Sequence, residues 1–503
     1  MKKIVLTAIN AKWIHPSLAL RLLKANLGAL EESCEIMEFA LRQPLAEKTE
    51  PLLIAKPFIL GISVSIWNHL AVIELLKELD KIWINEKPII ILGGPEVSHL
   101  PEDAEIFQYA GYVIRGEGET AFRLLCEKLL KGEKEPNKFI TAEDVNVNEI
   151  KTAYHLYTDE DVTKKLIYVE SSRGCVFNCE FCLSAVKASN SEQIIENSEQ
   201  VKPNKVREFP IEPFLAEMEI LIKRGVRTFK FLDRSFNTNI NRALQIIEFF
   251  LSKINNSSSH SFPSASSVSP CLCVNSSPMN SSAPPCVHFE MVPSLFPPEL
   301  LEALARFPPG TLRLEVGIQT LNPKTAALIG RPAKPEKELE ALRLLREKTN
   351  AIIHADLIAG LPGEDFTSFG KGFDQLWTTL GGKNKKIDSD LFEIQLGILK
   401  FLPGTPISRH NETYKMQYNP LPPYEIEENS LISTNDLQKI KNFARFWELI
   451  INRELIKLTE KPVFDKFMEF SEELMVYFGR NWGIDKEILQ KKAIEKIETG
   501  HFS

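Results

Sequence analysis

Two long stretches of the chain alternate short, strand-like apolar runs with amphipathic stretches of helical period, and few architectures accept that pattern. From Met1 to about Ala142 the runs are KIVLTAI, CEIMEFAL, FILGISVSI, PIIILGG and YVIRG, the first followed by a helical stretch from Ser17 to Leu30. A strand that is apolar at every position is buried on both faces, which requires a parallel sheet covered by helices on each side. Residues 1–142 are therefore predicted to form a doubly wound, Rossmann-like α/β domain. Ligands of such sheets sit beyond the carboxyl ends of the strands. The candidate contacts are accordingly Ser63 and Ser65, Gly93-Gly94-Pro95 and Gly116-Glu117-Gly118-Glu119. Glycine there permits close backbone approach, although a tight strand-to-helix turn would use the same residues.

A polar connector, 143–164, leads to a second alternating stretch over 165–410. Its strand candidates are LIYVE, RTFKFLD, VHFEM, LRLEVGI, IIHADLIAG and FEIQLGIL, separated by stretches such as IEPFLAEMEILIKRG and PEKELEALRLLREK. Six βα units predict a partial (β/α)6 barrel of the TIM type, with its chemistry at the carboxyl ends of the strands. Residues 255–286 interrupt the pattern: they carry no Asp, Glu, Lys or Arg but twelve Ser, five Pro and four Asn. That composition cannot bury enough apolar surface to offset its ordering entropy, so a disordered insertion is predicted. Residues 411–503 are expected to form a helical C-terminal domain, charged and helix-forming from about Ser433 onward.

At 503 residues the chain is too long for one ordinary domain. Its 60 Lys+Arg against 67 Asp+Glu leave a net charge of -7, which supplies no basic field for a phosphate backbone and argues against nucleic acid as a partner. No run reaches the ~18 uninterrupted apolar residues of a membrane span, and Asn10 and Lys12 break the first apolar run too early for a signal peptide. A cytoplasmic protein is expected. Eight cysteines are too few for a disulfide scaffold, so a cluster of them reads as a metal or redox site.

Such a cluster follows the first barrel strand: Arg173-Gly174-Cys175-Val-Phe-Asn-Cys179-Glu-Phe181-Cys182, a CxxxCxxC spacing. Three thiolates on one short loop can hold three irons of a 4Fe-4S cube and leave the fourth open to a chelating ligand. A structural zinc would need a fourth Cys or His, and none lies nearby in sequence. Cys271, Cys273 and Cys286 fall in the uncharged insertion, where nothing holds thiolates in place. Cys34 and Cys126 sit in apolar contexts and read as small buried hydrophobes.

Over roughly residues 1–410 the chain resembles the radical S-adenosylmethionine (radical SAM) superfamily. The resemblance implies that Cys175, Cys179 and Cys182 bind the cluster and that Phe181 lies against the adenine of S-adenosylmethionine. It further implies that reductive cleavage yields a 5′-deoxyadenosyl radical. The segments Phe289-Glu290-Met-Val-Pro293, Glu315-Val-Gly317-Ile-Gln319-Thr320, Ile329-Gly330-Arg331 and Asp356-Leu-Ile-Ala-Gly360-Leu-Pro362-Gly363-Glu364 are similar to strand-end motifs of the branch that includes oxygen-independent coproporphyrinogen oxidase. By that resemblance Glu290 accepts from the amino group, Arg331 faces the carboxylate, and Gln319 and Asp356 hold the methionine moiety and ribose. The branch's glycine-rich turn is replaced here by Phe231-Leu-Asp233-Arg234-Ser235-Phe236-Asn237, with Asp233 the nearest candidate for the amino group.

The N-terminal domain resembles the cobalamin-binding domain that precedes the barrel in one radical SAM class. YVIRGEGETAF is that class's recurring phrase, and Gly93-Gly94-Pro95 stands where the class approaches the corrin. The class's DxHxxG motif, whose His replaces the lower base of cobalamin, is missing. Lys12 stands in the place of the histidine, and His15 before Pro16 reads as a satisfied or exposed residue. Two alternatives stay open: cobalamin held without a protein imidazole from that motif, or a domain that has lost it. The phrases FLDRSFN, HADLIAGLPGED and LKFLPGTPI resemble an uncharacterised subgroup with a helical tail.

The implied function is a radical SAM enzyme with an unidentified small-molecule substrate and a reductant such as flavodoxin or ferredoxin. Methyl transfer to an unactivated carbon is the natural use of cobalamin beside a radical source. Rearrangement or cyclisation without cobalamin is the alternative, followed by a non-catalytic iron-sulfur protein. Methylthio transfer to RNA is opposed by the acidic balance and the lack of a basic appended module.

Overall fold

A computed structural model describes residues 3–84, 87–186, 206–256, 284–331, 334–381, 392–456, 458 and 463–500. The first sheet contains six parallel strands: β1 (Ile4–Asn10), β2 (Cys34–Ala40), β3 (Ile59–Ser63), β4 (Ile89–Gly93), β5 (Tyr112–Arg115) and β6 (Phe139–Thr141), in the order β2-β1-β3-β4-β5-β6. The five apolar runs form β1 to β5. The three-residue β6 carries too little pattern to be read from sequence. Alternate residues of one strand enter different cores: Val5 and Ile9 pack against Leu76 and Leu79, whereas Ile4 and Leu6 pack against Leu20 and Phe122. Both faces are covered, as continuous apolar strands require. The helix expected over Ser17 to Leu30 is shorter, Leu18–Ala25, because Ser17 caps its start by accepting from the Leu20 amide and Asn26 closes its end.

The second sheet is also parallel and six-stranded: β7 (Ile167–Val169), β8 (Thr228–Phe231), β9 (Cys286–Met291), β10 (Leu312–Gln319), β11 (Ile352–Ala359) and β12 (Phe392–Ile398). Their order, β12-β11-β10-β9-β8-β7, leaves β7 and β12 as edges, so the barrel is open. Here the strands alternate. Phe229, Phe289, Leu314 and Ile353 face the helices, while Tyr168, Lys230, His288, Glu290, Glu315, His354 and Asp356 take the other face. Register sets Glu290 beside Glu315, Glu315 beside His354, and His354 beside Glu393.

The ends of the 255–286 segment belong to regular elements: Asn255 and Asn256 finish the helix Ile240–Asn256, and Cys286 opens β9. Residues 257–283, including Cys271 and Cys273, lie outside the described residues. Cys34 and Cys126 are buried, and burial pushes both thiols up, Cys34 to about 12. The helices after Ser433 share the barrel's core instead of building their own. Phe373 of the helix Phe366–Gly381 meets Phe443 at 5.1 Å and Trp447 at 4.8 Å between ring centroids. At the other end Leu18, Leu22 and Ala25 of the first helix join that same core.

Candidate cluster and cofactor site

The cysteine loop begins where β7 ends. Ser172 and Arg173 pair antiparallel with Glu208 and Arg207, and Gly174 turns the chain with φ +98°. The amide of Cys182 then donates to the Cys179 carbonyl at 3.0 Å, which folds the last two cysteines back on one another. Burial pushes the Cys175 thiol up, opposed by hydrogen bonds from the Phe177 amide and the Ser235 hydroxyl. Burial likewise raises Cys179 to about 11, opposed by the Arg331 guanidinium, which hydrogen-bonds its sulfur. Among the described residues no three His, Cys, Asp or Glu side chains converge on a single metal ion. A cubane asks for something else, since each thiolate holds a different iron. Three thiols with a cation and hydrogen-bond donors at their sulfurs suit such a cluster, because iron ligation deprotonates the thiols and the donors compensate the added charge.

The loop is held from outside by Glu180, which lies between two of the cysteines. Its amide donates to the Ile329 carbonyl and its carbonyl accepts from the Ile407 amide. Its buried carboxylate pairs with Arg409 and with His410 Nε2, the latter at 2.9 Å. Gly330, at φ +64°, must be glycine, for a Cβ there would stand 2.9 Å from the Asn178 carbonyl oxygen.

The strand-end residues gather on the inner face of the barrel. Glu290 lies 3.4 Å from Arg234, and Glu315 lies 3.2 Å from both Lys230 and His288. Burial lowers His288 to about 4 and raises Asp356 to about 8, Asp356 being pushed further by the Glu315 and Glu290 carboxylates. Arg331 donates through Nη2 to the Gly317 carbonyl at 2.5 Å, while its buried Nε has no partner. A buried, unpartnered guanidinium N–H beside the cysteines and a raised carboxyl across the barrel fit a ligand that carries both a carboxylate and cationic groups. Phe181 is half-buried against the barrel core.

Asp233 does not point at this space. It is 1 % exposed, and its carboxylate accepts from the Ser171 amide and from the Ser171 and Ser172 hydroxyls at 2.6 and 2.7 Å. With its oxygens engaged, it positions the segment entering the cysteine loop, which corrects the expectation that it meets the amino group. The neighbours Arg234 and Ser235, which reach Glu290 and Cys175, are the members of that turn at the site.

Gln319 takes a left-handed φ of +69° at the end of β10, and the next residue, Thr320, donates to the buried carboxyl of Glu364 at 2.7 Å. Burial pushes Glu364 up to about 7. The folded state therefore favours its proton: the stabilisation is complete below the unfolded value of 4.5 and is lost as pH rises through about 7. Glu364→Gln is expected to flatten the fall in melting temperature between about pH 5 and 8, an effect of about 3 kcal/mol at most, read by thermal unfolding at each pH.

A cavity of about 740 Å³ joins the two sheets. Ser63, Gly93, Gly94, Gly116 and Glu117 all line it, with Pro95, Gly118 and Glu119, whereas Ser65 does not and is buried with its amide donating to the Asn68 side chain. Leu6, Leu20, Leu23 and Phe122 contribute apolar lining, and Arg173, Gly174 and Leu183 of the cysteine loop line it too. Two of these residues serve the fold directly. A Cβ on Gly94 would lie 2.5 Å from the Val64 carbonyl oxygen, so the close approach there is to the backbone after β3. Glu117 is tied to Arg207, which with Arg173 holds its carboxyl below the usual range against the push of burial. Lys12 and His15 lie outside the lining; His15 Nδ1 is hydrogen-bonded to the Tyr168 hydroxyl at 2.8 Å.

Residues 169–374 match the Radical SAM superfamily, and residues 4–126 match the B12 binding domain. The chain contains a B12-binding domain followed by a radical SAM domain. Its cofactors are accordingly a 4Fe-4S cluster, S-adenosylmethionine and cobalamin. A curated relative, the uncharacterized methyltransferase PH0819 of Pyrococcus horikoshii, is 28% identical over 186 residues, which are 32% of this chain and 37% of the relative. The match thus spans about a third of that protein. Among solved structures, the cobalamin-dependent S-adenosylmethionine radical enzyme OxsB with aqua-cobalamin bound is similar over 100% of this chain and 76% of its own, at TM-score 0.62 and 17% identity. The radical S-adenosylmethionine methyltransferase TsrM of Kitasatospora setae, with cobalamin and a 4Fe-4S cluster bound, is similar over 84% of this chain and 78% of its own, at TM-score 0.56 and 16% identity. At these identities the likeness is one of fold. Among the described residues no helix is long and apolar enough to cross a membrane.

Proposed function

We propose that the protein is a cobalamin-dependent radical SAM enzyme that transfers a methyl group to an unactivated carbon of a small molecule. One observation carries the reading: a single cavity runs from the strand ends of the B12-binding sheet to the cysteine loop of the barrel. When bound, the cluster and S-adenosylmethionine supply one-electron chemistry able to break a C–H bond, and cobalamin supplies a methyl carrier.

The chain's own residues hold and enclose these groups. Cys175, Cys179 and Cys182 ligate the cluster, and Arg331 neutralises charge beside Cys179 while its free Nε offers a donor to the carboxylate of S-adenosylmethionine. Glu290 and Asp356 present carboxyl groups to its cationic part, with Gln319 at the rim. The apolar slot of Leu6, Leu20, Leu23 and Phe122 suits the flat base of the cobalamin tail. Ion pairs within the cavity lining, Arg173 with Glu119 at 2.7 Å and Arg207 with Glu117, clamp the first sheet onto the barrel and keep water from reactive species. A flavodoxin or ferredoxin is the class of reductant that would feed the cluster.

Protein reconstituted anaerobically and supplied with S-adenosylmethionine labelled in its methyl group is expected to deliver label to a product extracted from the source organism's small-molecule pool. Label confined to methionine would favour rearrangement or cyclisation instead. A cluster-loaded protein that released no 5′-deoxyadenosine would return the chain to the non-catalytic class.

A further inference from the structure

We infer that Tyr424, in the segment after β12, is a positioning residue for the bound corrin: through Glu96 it fixes the loop after β4, which lines the cavity. The inference rests on cobalamin occupying that cavity. Gly94, Pro95, Ser98 and His99 of the loop line it, and Glu96 stands among them in sequence but not in the lining. The Glu96 side chain is buried, and one of its oxygens, Oε1, lies 2.7 Å from the Tyr424 hydroxyl and 2.7 Å from His69 Nδ1. A carboxylate accepts, so both partners donate to that oxygen. Burial and the Glu96 carboxylate raise the Tyr424 pKa, so its hydroxyl keeps the proton it donates.

The three side chains come from three separate elements, and each is fixed at its own root. His69 opens the helix His69–Ile82, and the preceding Asn68 anchors that end by donating to the Ile9 and Ser63 carbonyls, in β1 and β3. Tyr424 belongs to the barrel: the Phe401 amide, just past β12, donates to its carbonyl at 2.9 Å, and its own amide donates to the Leu421 carbonyl at 2.8 Å. Its left-handed φ of +54° is costly for a bulky side chain and persists only where the surroundings over-determine it. Within the loop the Glu96 amide donates to the Val64 carbonyl, and the Ser98 hydroxyl donates to the Gly94 carbonyl while accepting from the Gly116 amide. Gly404, also after β12, packs against His99 of the same loop. The cavity-lining neighbours of Glu96 therefore cannot shift without breaking two hydrogen bonds to one buried oxygen, which is costly to leave unpaired.

Tyr424→Phe removes the hydroxyl and keeps the ring. In cluster-loaded protein the Kd for hydroxocobalamin, measured by equilibrium dialysis, is expected to rise about tenfold at unchanged iron content, the fold-change of one hydrogen bond to a carboxylate. In a Glu96→Ala background the same substitution should change nothing, because the hydroxyl has lost its acceptor, a coupling that packing of the ring alone would not produce. Tyr424→Phe decides the matter by itself should Glu96→Ala not fold. Binding as tight in Tyr424→Phe as in the unaltered protein overturns the inference and leaves the cobalamin reading standing, as does an equal loss on both backgrounds. Iron lost together with corrin would show a general loosening and overturns it too. Unaltered, cluster-loaded protein that takes up no hydroxocobalamin overturns both.

Discussion

Cys175→Ala is expected to abolish the iron-sulfur absorption and paramagnetic signals of the reconstituted protein and, with them, cleavage of S-adenosylmethionine. The reason is stoichiometric: with three thiolates for three irons, removing one leaves a second iron without a protein ligand, and the cube is no longer retained. Activity should fall beyond the roughly 10–100-fold typical of residues that merely orient a metal ligand. Release of 5′-deoxyadenosine from anaerobically reduced protein measures it. The N-terminal sheet shares no ligand with the cluster, so corrin extracted from the variant should match that from the unaltered protein. A variant that kept the cluster would remove this loop from the chemistry.

Glu180→Ala should destabilise the loop without deleting a ligand. Glu180 is 6 % and His410 7 % exposed, and their contact at 2.9 Å ties the cysteine loop to a segment 230 residues further along the chain. Removing the acceptor of a buried hydrogen bond costs about 1–3 kcal/mol, and the Leu328 carbonyl, 3.1 Å from His410 Nε2, is the partner that remains. The expected result is cluster loss on desalting, faster than in the unaltered protein, together with a lowered unfolding temperature. Glu180→Gln, which keeps an acceptor for His410, should recover most of the cluster content while losing the charge that holds Arg409. Equal behaviour of the two variants would mean that volume alone, and not the hydrogen bond, supports the loop.

Much of the fold was legible because its signals are local. An apolar run buried on two faces differs from one that alternates, so β1 to β5 and β7 to β12 could each be found from a few neighbouring residues. β6, three residues long, offers no period to detect. The helix after β1 was overextended because the apolar spacing continues past Asn26, and the cap that ends it is a matter of backbone geometry. The C-terminal helices were recognisable as helices, yet their amphipathic faces do not say what they pack on.

In the site, residue types were more legible than their commitments. The spacing of the three cysteines is chemistry written within eight residues, and the sequence alone determined it. Asp233 and Glu117 were singled out for their kind and place, but a carboxylate is available to a ligand only if nothing else has claimed it, and Ser171, Ser172 and Arg207 have. Arg234 and Ser235 stood in the same turn, marked only by its departure from a glycine-rich pattern. Glu180 with His410, and His99 against Gly404, carry no local signal, since each pair joins distant parts of the chain. The sequence by itself thus determined two parallel sheets and a thiolate loop, because periodicity and ligand spacing act over short separations. The tertiary structure alone decided which polar groups are spent, which remain free, and that one cavity joins the two sheets, because those depend on contacts that only the folded chain makes.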